Sequence, residues 1–475
     1  MSPTSLNLSD RDIERAGTLL TGFLRAFEQS IPAQAVLPRL DRAALSEILL
    51  QPFPEQGIGI EQLFREITER IVPNSTMISH PRFLAYVLGP PNGIAPFAEA
   101  IAATLNQNCN FWQLSPAASV IERKVISWFS ALFAFPETAA GIMTSGGSMA
   151  TEIALSAAIQ EKYPGDFRRT GLQSSRSPLI VYVSEEAHGC VEKAAVILGL
   201  GLDNVRKIPV DSAFRMRPDL LAAAVQEDRK AGNQPFCVVA TAGTVNTGAI
   251  DPIAELSDFC SREELWLHVD GAFGALFILS TRMQDQFLAC GTADSLALDP
   301  HKLLFAPLEA GCVIVRDRAT LERTFRFGAS YLTVEHDPLF TNFMDYGPQL
   351  SRSFKAFKVW CALQALGVRA FTDAVEHTLA IARYMEERIQ AEKSLELLAP
   401  VTLTAVCFRF RNADDTGNEK ILARLVEEGT ALLGPVRVGG RFGIRACITN
   451  YRTTRADIDF ILDRLIQLGT DVCVA

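Results

Sequence analysis

The sequence has no long apolar run and no paired cysteine motif. No uninterrupted apolar stretch reaches the length needed to span a membrane, and the first residues lack the basic and apolar regions of a signal peptide. The ten cysteines occur singly, without a Cys-x-x-Cys pair, which disfavours a zinc ribbon and fits thiols kept reduced. We therefore expect a soluble cytoplasmic protein with no metal site.

An excess of basic residues is also missing, as are the common nucleotide-binding motifs. The net charge of −9 and the pI of about 5.4 leave no basic stripe to neutralise phosphates, so nucleic acid is not an expected partner. Neither Gly-Lys-Ser/Thr nor Gly-x-Gly-x-x-Gly occurs at a strand end, and no internal repeat is evident. The expected partners are small molecules.

The central part of the chain alternates between strand-like and helix-like segments. With 475 residues, 48% of them hydrophobic, the chain can build a large core. Short apolar runs predict strands at 179–183, 236–241, 265–269, 295–298 and 312–315, and helix-like segments separate them. This alternation predicts an α/β fold, a mostly parallel sheet with helices on both faces, whose ligands bind at the carboxyl ends of the strands.

The flanking parts differ in character from this central region. Amphipathic runs broken by prolines predict a helical segment over residues 1–80, followed by a large domain over 81–366. A long helix-like run, short strand-like runs and a last helix predict a small α+β domain over 367–475.

Lys302 follows the strand-like run that ends at Leu298, in the segment Asp299-Pro300-His301-Lys302. A buried amine at a strand end can form an imine with an aldehyde. The tripeptide Pro-His-Lys is also compatible with a solvated lysine in a surface turn. The segments before it decide between these interpretations.

One of these segments, Ser145-Gly146-Gly147-Ser148, leads directly into a helix-like run. Small residues before a helix leave free backbone N–H groups at the positive end of the helix dipole, and Ser148 adds a hydroxyl group. This arrangement suits a phosphate, although an ordinary helix cap has the same pattern.

Three further strand ends carry polar side chains. Asp270 ends the apolar run Leu267-His268-Val269, and a carboxylate there needs a cationic partner, unless it is only a helix cap. His188 could stack on a flat aromatic ring, although a single histidine more often has a purely structural role. Thr244 could form a hydrogen bond with a substituent of that ring. Together these segments describe a ligand with a phosphate, an aromatic ring nitrogen and an aldehyde, which are the features of pyridoxal 5′-phosphate (PLP).

These segments resemble the group II PLP-dependent decarboxylases of fold type I, the aromatic-L-amino-acid decarboxylase-like family. The matching motifs run in family order along nearly the whole chain: His80-Pro-Arg-Phe83, Ser115-Pro-Ala117, Ser145-Gly-Gly-Ser148, Glu186-Ala-His188, Ala240-Thr-Ala-Gly-Thr244, His268-Val-Asp-Gly-Ala272 and Asp299-Pro-His-Lys302. The resemblance implies a seven-stranded, mostly parallel sheet and an obligate homodimer with shared active sites, in which residues 1–80 wrap the partner.

The resemblance also implies a role for each motif residue. Lys302 would be the attachment point of PLP, Asp270 would pair with the ring nitrogen so that the ring accepts electrons, and His188 would stack on the ring. The remaining cofactor contacts would be Gly146, Gly147, Ser148, Thr244, Ala272, Asp299 and His301, the last also reaching the substrate.

Tyr331 lies in a polar segment that is typical of a loop closing over a site. By the resemblance, this loop reaches the partner subunit's site and its tyrosine protonates the α-carbon after carbon dioxide leaves. Aldehyde synthases of the family carry phenylalanine there, so Tyr331 favours an amine product. The ring could instead serve only to anchor the loop. Arg352 matches a structural or cofactor-proximal arginine.

The substrate remains open. Phe83, Tyr86, Phe111 and Trp112 fall in segments that line the family's substrate pocket and favour an aromatic amino acid (tyrosine, dopa, tryptophan or phenylalanine), although they could equally be core residues. Arg82 would favour an acidic substrate, and a diamino acid is a further option. The sequence is also compatible with an aldehyde synthase, with an aminotransferase or carbon–carbon lyase on the same fold, and with a catalytically silent relative.

Some positions depart from the pattern of the aromatic-amino-acid enzymes. Leu303 stands where tryptophan is usual, Val245 where a second threonine is usual, and Asp299 where asparagine is common. Because of these differences, the substrate of the aromatic-amino-acid enzymes cannot simply be assigned to this protein.

Overall fold

A computed structural model describes residues 6–174, 177–327 and 339–474. The helices are α1 (Asp10–Ser30), α2 (Arg42–Leu49), α3 (Ile60–Glu66), α4 (Ala95–Leu105), α5 (Pro116–Leu132), α6 (Gly147–Lys162), α7 (Phe167–Thr170), α8 (Cys190–Ile197), α9 (Pro218–Lys230), α10 (Ile253–Arg262), α11 (Gln284–Leu288), α12 (Pro300–Leu303), α13 (Arg318–Phe325), α14 (Lys355–Ala391), α15 (Asp415–Glu428) and α16 (Arg455–Val474). The strands are β1 (Ala140–Thr144), β2 (Leu179–Ser184), β3 (Val205–Ile208), β4 (Gln234–Thr241), β5 (Trp266–Asp270), β6 (Ser295–Leu298), β7 (Gly311–Val315), β8 (Leu395–Leu397), β9 (Ala405–Phe410), β10 (Gly434–Val438) and β11 (Arg441–Cys447).

The larger sheet of the described chain has seven strands in the order β1-β7-β6-β5-β4-β2-β3. The neighbours from β6 to β3 pair in parallel, whereas β7 runs antiparallel between β1 and β6. Strands β1, β2, β5, β6 and β7 are buried along their whole length, because helices cover both faces. The predicted α/β fold and all five predicted strands are confirmed.

The strand order brings the polar strand ends to one edge of the sheet. Thr241 and Asp270 are register partners at the carboxyl ends of β4 and β5. Strand β6 ends at Leu298, immediately before the Lys302 segment, and β1 ends at Thr144, immediately before the glycine cradle. Since β1 and β6 are both antiparallel to β7, these ends lie on the same edge.

The C-terminal part forms a second, four-stranded antiparallel sheet in the order β10-β11-β9-β8. It packs with α15 and α16 around its own apolar cluster, which includes Phe408, Ile444 and Leu465. Helix α14 is interrupted at Gly367, where φ is 73°. The boundary predicted at residue 367 coincides with this break, and the domain limits themselves stay a prediction.

The N-terminal helices contrast with the rest of the chain, because α1, α2 and α3 contribute no buried residue in the described part of a single subunit. Large apolar side chains in and between these helices are open to solvent: Leu49 is 83% exposed and Phe53 is 94% exposed. No helix of the described residues, these three included, is long and apolar enough to cross a membrane.

Candidate active site

A cavity of about 560 Å³ opens at the carboxyl edge of the large sheet. We call the part of the cavity formed at the ends of the strands the floor; it contains Gly147, Cys190, Asp270, Asp299 and Lys302 with their neighbours. We call the remaining part the mouth; it is formed by Tyr86, Val87, Leu88, Leu308 and Arg445. Residues from the α/β region and from the C-terminal sheet therefore meet at one cavity.

The glycine cradle forms one side of the floor. Gly147 begins α6, and a Cβ atom there would lie 2.7 Å from the Cβ of Ala272, so only glycine fits this close approach. No side chain caps the helix at Gly146, so the first backbone N–H groups of α6 are available to a ligand. Ser148 is exposed to the cavity. This geometry suits the predicted phosphate contact.

Lys302 lies on the short helix α12 and lines the same cavity as the cradle. Its Nζ atom is 3.0 Å from Oδ2 of Asp299, and Nε2 of His301 is 3.4 Å from the same oxygen. Asp299 is only 2% exposed, and its Oδ1 atom has no hydrogen-bond partner in the described chain. Burial lowers the pKa of His301, and Nδ1 of its ring lies 2.7 Å from the carbonyl oxygen of Ala310. The lysine amine thus sits in a buried polar cluster rather than in a surface turn.

Asp270 and His188 line the same cavity as the cradle and Lys302. Oδ1 of Asp270 accepts a hydrogen bond from the Ala272 backbone N–H at 3.1 Å, and Oδ2 accepts one from the Cys190 thiol at 3.7 Å. No described basic side chain forms an ion pair with this buried carboxylate. His188 is exposed in the cavity, with Nδ1 accepting a hydrogen bond from the Cys190 backbone N–H.

Arg445 and Thr241 are polar cavity residues that were not predicted as site residues from the sequence. Arg445, on β11, is 5% exposed, and its Nε and Nη1 atoms donate to the carbonyl oxygens of Asn246 and Tyr86. Its Nη2 atom is buried without a partner in the described chain. Thr241 also lines the cavity with a buried, unbonded hydroxyl group. An arginine within the otherwise apolar run Phe442-Gly-Ile-Arg-Ala-Cys was the available sequence indication for Arg445.

The structure corrects the expectation for Thr244. Its hydroxyl group lies 2.9 Å from the hydroxyl of Thr247 and accepts the Ala249 backbone N–H, so it stabilises its own loop. Thr244 is fully buried outside the cavity lining, where Thr241 and Gly243 represent this segment.

Of the four predicted substrate residues, only Tyr86 lines this cavity. Phe83 is 2% exposed and forms a β-bridge with Leu432, so it is a core residue, which corrects its predicted role. Phe111 and Trp112 lie outside the lining of this subunit's cavity, and Trp112 stacks on Phe340 with ring centres 4.4 Å apart. The substrate role of these two residues stays a prediction.

The two arginines singled out from the sequence lie away from the cavity. Arg352 forms a buried ion pair with Glu122 and donates to the carbonyl oxygens of Cys109 and Met143, so it is structural. Arg82 stacks over the Phe460 ring at 4.2 Å, which removes its support for an acidic substrate. Tyr331 lies outside the described residues.

The floor meets the requirements of PLP on independent grounds. The cradle offers backbone N–H groups to a phosphate. Among the described residues, no basic side chain pairs with the buried Asp270 carboxylate, and the Lys302 side chain is 19% exposed and lines the cavity. His188 and Ala272 both line the cavity, where they are available to contact a bound ring. The residues present therefore fit the cofactor.

Comparisons with known proteins agree with this geometry. A family model described as the pyridoxal-dependent decarboxylase conserved domain matches residues 44–411. The chain is 32% identical over 483 residues to the aromatic-L-amino-acid decarboxylase of Bacillus atrophaeus, covering 99% of this chain and 98% of that protein. It is 30% identical over 450 residues to the cysteine sulfinic acid decarboxylase of Rattus norvegicus, covering 90% of each.

The fold agrees as well. The solved structure of mouse CSAD superposes with a TM-score of 0.91 at 27% identity, covering 97% of this chain and 99% of that one. The predicted family, the fold type I architecture and the PLP cofactor are confirmed. The chain belongs to the pyridoxal-dependent decarboxylase family and is a PLP-dependent lyase of amino acid metabolism.

Proposed function

We propose that this enzyme decarboxylates an aromatic L-amino acid to the corresponding amine and carbon dioxide. The observation that carries the proposal is the character of the mouth. Val87, Leu88 and Leu308 give it apolar surface, and Tyr86 adds an aromatic ring. Among the described lining residues, Arg445 is the cation that remains after Lys302 is assigned to the cofactor. One cation matches one carboxylate, and an aromatic amino acid has only its α-carboxylate.

The cofactor, when bound, supplies an electron sink for the pair of electrons left on the α-carbon. The roles proposed for the chain are binding and orientation. Lys302 would hold the cofactor, Asp270 would keep a proton on the ring nitrogen, and His188 would cover one ring face. Arg445 would fix the substrate by a charge-assisted hydrogen bond from its unbonded Nη2 atom.

An acidic amino acid is the second candidate, and Arg445 is also the observation in its favour. If the guanidinium bound a side-chain carboxylate, the α-carboxylate would be left without a cation from this subunit. The cysteine sulfinic acid decarboxylase of Rattus norvegicus is similar over 90% of the chain, whereas the aromatic enzyme of Bacillus atrophaeus is similar over 99%. The greater coverage supports the aromatic proposal.

A panel of amino acids assayed for carbon dioxide release tests the proposal. We expect tyrosine, dopa, tryptophan or phenylalanine to give carbon dioxide and amine in equal amounts. Turnover of cysteine sulfinate, glutamate or 2,4-diaminobutyrate alone would contradict the aromatic assignment. Formation of an aldehyde would indicate an aldehyde synthase, and a keto acid without carbon dioxide would indicate an aminotransferase.

We further propose that the enzyme acts as a homodimer in the cytoplasm. The exposed apolar side chains of α1–α3 need a covering surface. An apolar groove of about 340 Å³ between α5 and α14, lined by Trp128, Leu132, Leu363 and Val368, offers one on a second copy. The nine cysteines whose side chains are described are free thiols, which supports a reducing compartment.

A mixing experiment tests the shared active site. Lys302→Ala and Tyr331→Phe variants should each be poorly active in amine formation. If Tyr331 serves the partner subunit, exchange of subunits between the two variants creates hybrids with one intact site and restores activity. Restoration should not occur if both residues serve the same subunit, and a sedimentation measurement giving a monomer would reject the dimer itself.

A further inference from the structure

Cys190 connects the two residues that face the cofactor ring. Its backbone N–H donates to Nδ1 of His188 at 3.2 Å, and its thiol donates to Oδ2 of Asp270 at 3.7 Å. The sulfur also lies 3.8 Å from the hydroxyl of Thr151 on α6. Cys190 is 3% exposed and Thr151 is fully buried, so water does not compete for these contacts.

The thiol completes the set of donors around Asp270. Oδ1 already accepts the Ala272 backbone N–H on the far side of the carboxylate. With the thiol on Oδ2, each carboxylate oxygen has one donor from the fold, so the plane of the carboxylate is held from two sides. Burial raises the pKa of the Cys190 thiol well above its usual range, with the Asp270 charge adding to the shift, so the sulfur keeps its proton and remains a donor.

We propose that Cys190 is a positioning residue that orients the Asp270 carboxylate and the His188 ring for PLP. In this arrangement the Thr151 hydroxyl donates to the sulfur and the thiol donates to Asp270, which gives a fixed order of hydrogen bonds from α6 to β5. Rotation of the carboxylate away from the ring nitrogen would break the bond to the thiol. The inference concerns cofactor binding and is independent of which amino acid is the substrate.

The test compares Cys190→Ala with Cys190→Ser in protein freed of PLP. The readouts are the dissociation constant for added PLP and the visible spectrum of the reconstituted enzyme. Loss of one buried hydrogen bond corresponds to about a threefold to tenfold change in affinity. We expect Cys190→Ala to weaken PLP binding by about that factor, and Cys190→Ser to remain within about twofold of wild type because a hydroxyl restores the donor.

The relative PLP affinities of the two variants distinguish a positioning role of Cys190 from a role in packing alone. A residue that only fills space tolerates alanine at least as well as serine, because a buried hydroxyl adds a polar group. Cys190→Ser binding PLP no better than Cys190→Ala would therefore overturn the proposal. Cys260→Ala, which removes a buried thiol on α10 outside the cavity, should leave PLP affinity unchanged.

A double variant locates the effect. In an Asp270→Asn background the thiol has no carboxylate to orient, so the further change Cys190→Ala should alter PLP affinity by less than about twofold. An undiminished effect in that background would show that Cys190 acts elsewhere, which contradicts the proposal. Thr151→Val should also weaken PLP binding, by a smaller factor than Cys190→Ala.

Discussion

The floor and the mouth of the cavity are built in different ways. The floor residues Asp270 and Asp299 are 6% and 2% exposed. Asp270 ends β5 and Asp299 directly follows β6, two buried strands of one sheet. In the mouth, Tyr86 and Leu308 are 66% and 62% exposed, and Arg445 comes from the second sheet. The residues that fit the cofactor thus lie at strand ends of one sheet, whereas the residues proposed to contact the substrate come from separate parts of the chain.

The largest expected effect concerns the floor. Lys302→Ala removes the amine that holds PLP, so we expect activity to fall by at least about a thousandfold, the scale seen when a covalent catalytic residue is lost. The visible absorbance of the lysine-bound cofactor should disappear, which absorption spectroscopy measures. A spectrum unchanged from wild type would refute the assignment of Lys302.

A mouth substitution should affect the substrate and spare the cofactor. Arg445→Met removes a buried cation and should lower kcat/KM for the best amino acid by about 30-fold to 1000-fold, because a desolvated charge pair is lost. PLP affinity should change little. The matched control is Arg82→Met, which removes an arginine that contacts Phe460 instead of the cavity. Equal losses from both substitutions would contradict the proposed role of Arg445.

A smaller effect, on the affinity for PLP, is expected at Asp299, where the aromatic-amino-acid enzymes commonly have asparagine. Asp299 places a carboxylate beside the phosphate cradle, with Oδ2 3.3 Å from the position of a Cβ atom on Gly147. Asp299→Asn removes a like charge near the phosphate and should tighten PLP binding by about threefold to tenfold. Titration of the PLP-free protein with PLP measures the dissociation constant that checks this prediction. Weaker binding would show that the ion pair with Lys302 matters more than the repulsion.

The smallest effect on activity is expected at His268 on β5, where the predicted change is in the pH dependence of folding stability. Burial lowers the pKa of His268 from 6.5 to about 4. As the pH falls from 6.5 towards 4, the unfolded chain binds a proton that the folded chain does not, so stability present above pH 6.5 is lost across this window. This one group should cost about 2 kcal/mol between pH 7 and pH 5.

His268→Asn tests that cost. An Asn side chain can keep the hydrogen bond that Nδ1 of His268 makes with Ser295, and it does not titrate. Thermal unfolding at pH 7 and pH 5 should therefore show a smaller loss of stability for the variant than for wild type. The same loss in both proteins would mean that other groups cause the acid sensitivity.

The contrast between floor and mouth also explains what the sequence could predict. Asp270 and Lys302 were predictable because each follows a short apolar run, and the local pattern alone places it at a strand end. Strands β1 and β3 were not predicted. Ala140–Thr144 contains a glycine and an alanine, and Val205–Ile208 contains two basic residues, so neither has the apolar pattern of a buried strand.

Contacts between segments that are distant in the chain could not be predicted from the sequence. Arg445 reaches the cavity only because β11 of the second sheet packs against the loop that carries Asn246. Phe83 and Thr244 lie close in sequence to cavity residues, but the backbone turns their side chains into the core and into a loop. A pattern can identify a motif, whereas the direction of each side chain depends on tertiary packing.

The ratio of kcat/KM for tyrosine to that for cysteine sulfinate, measured on the PLP-loaded wild-type enzyme, tests the central claim most directly. An apolar mouth with one available cation should favour the aromatic substrate by at least about tenfold, since a second, unpaired carboxylate or sulfinate would be costly to bury there. A ratio that favours cysteine sulfinate would contradict the account and assign Arg445 to the acidic side chain.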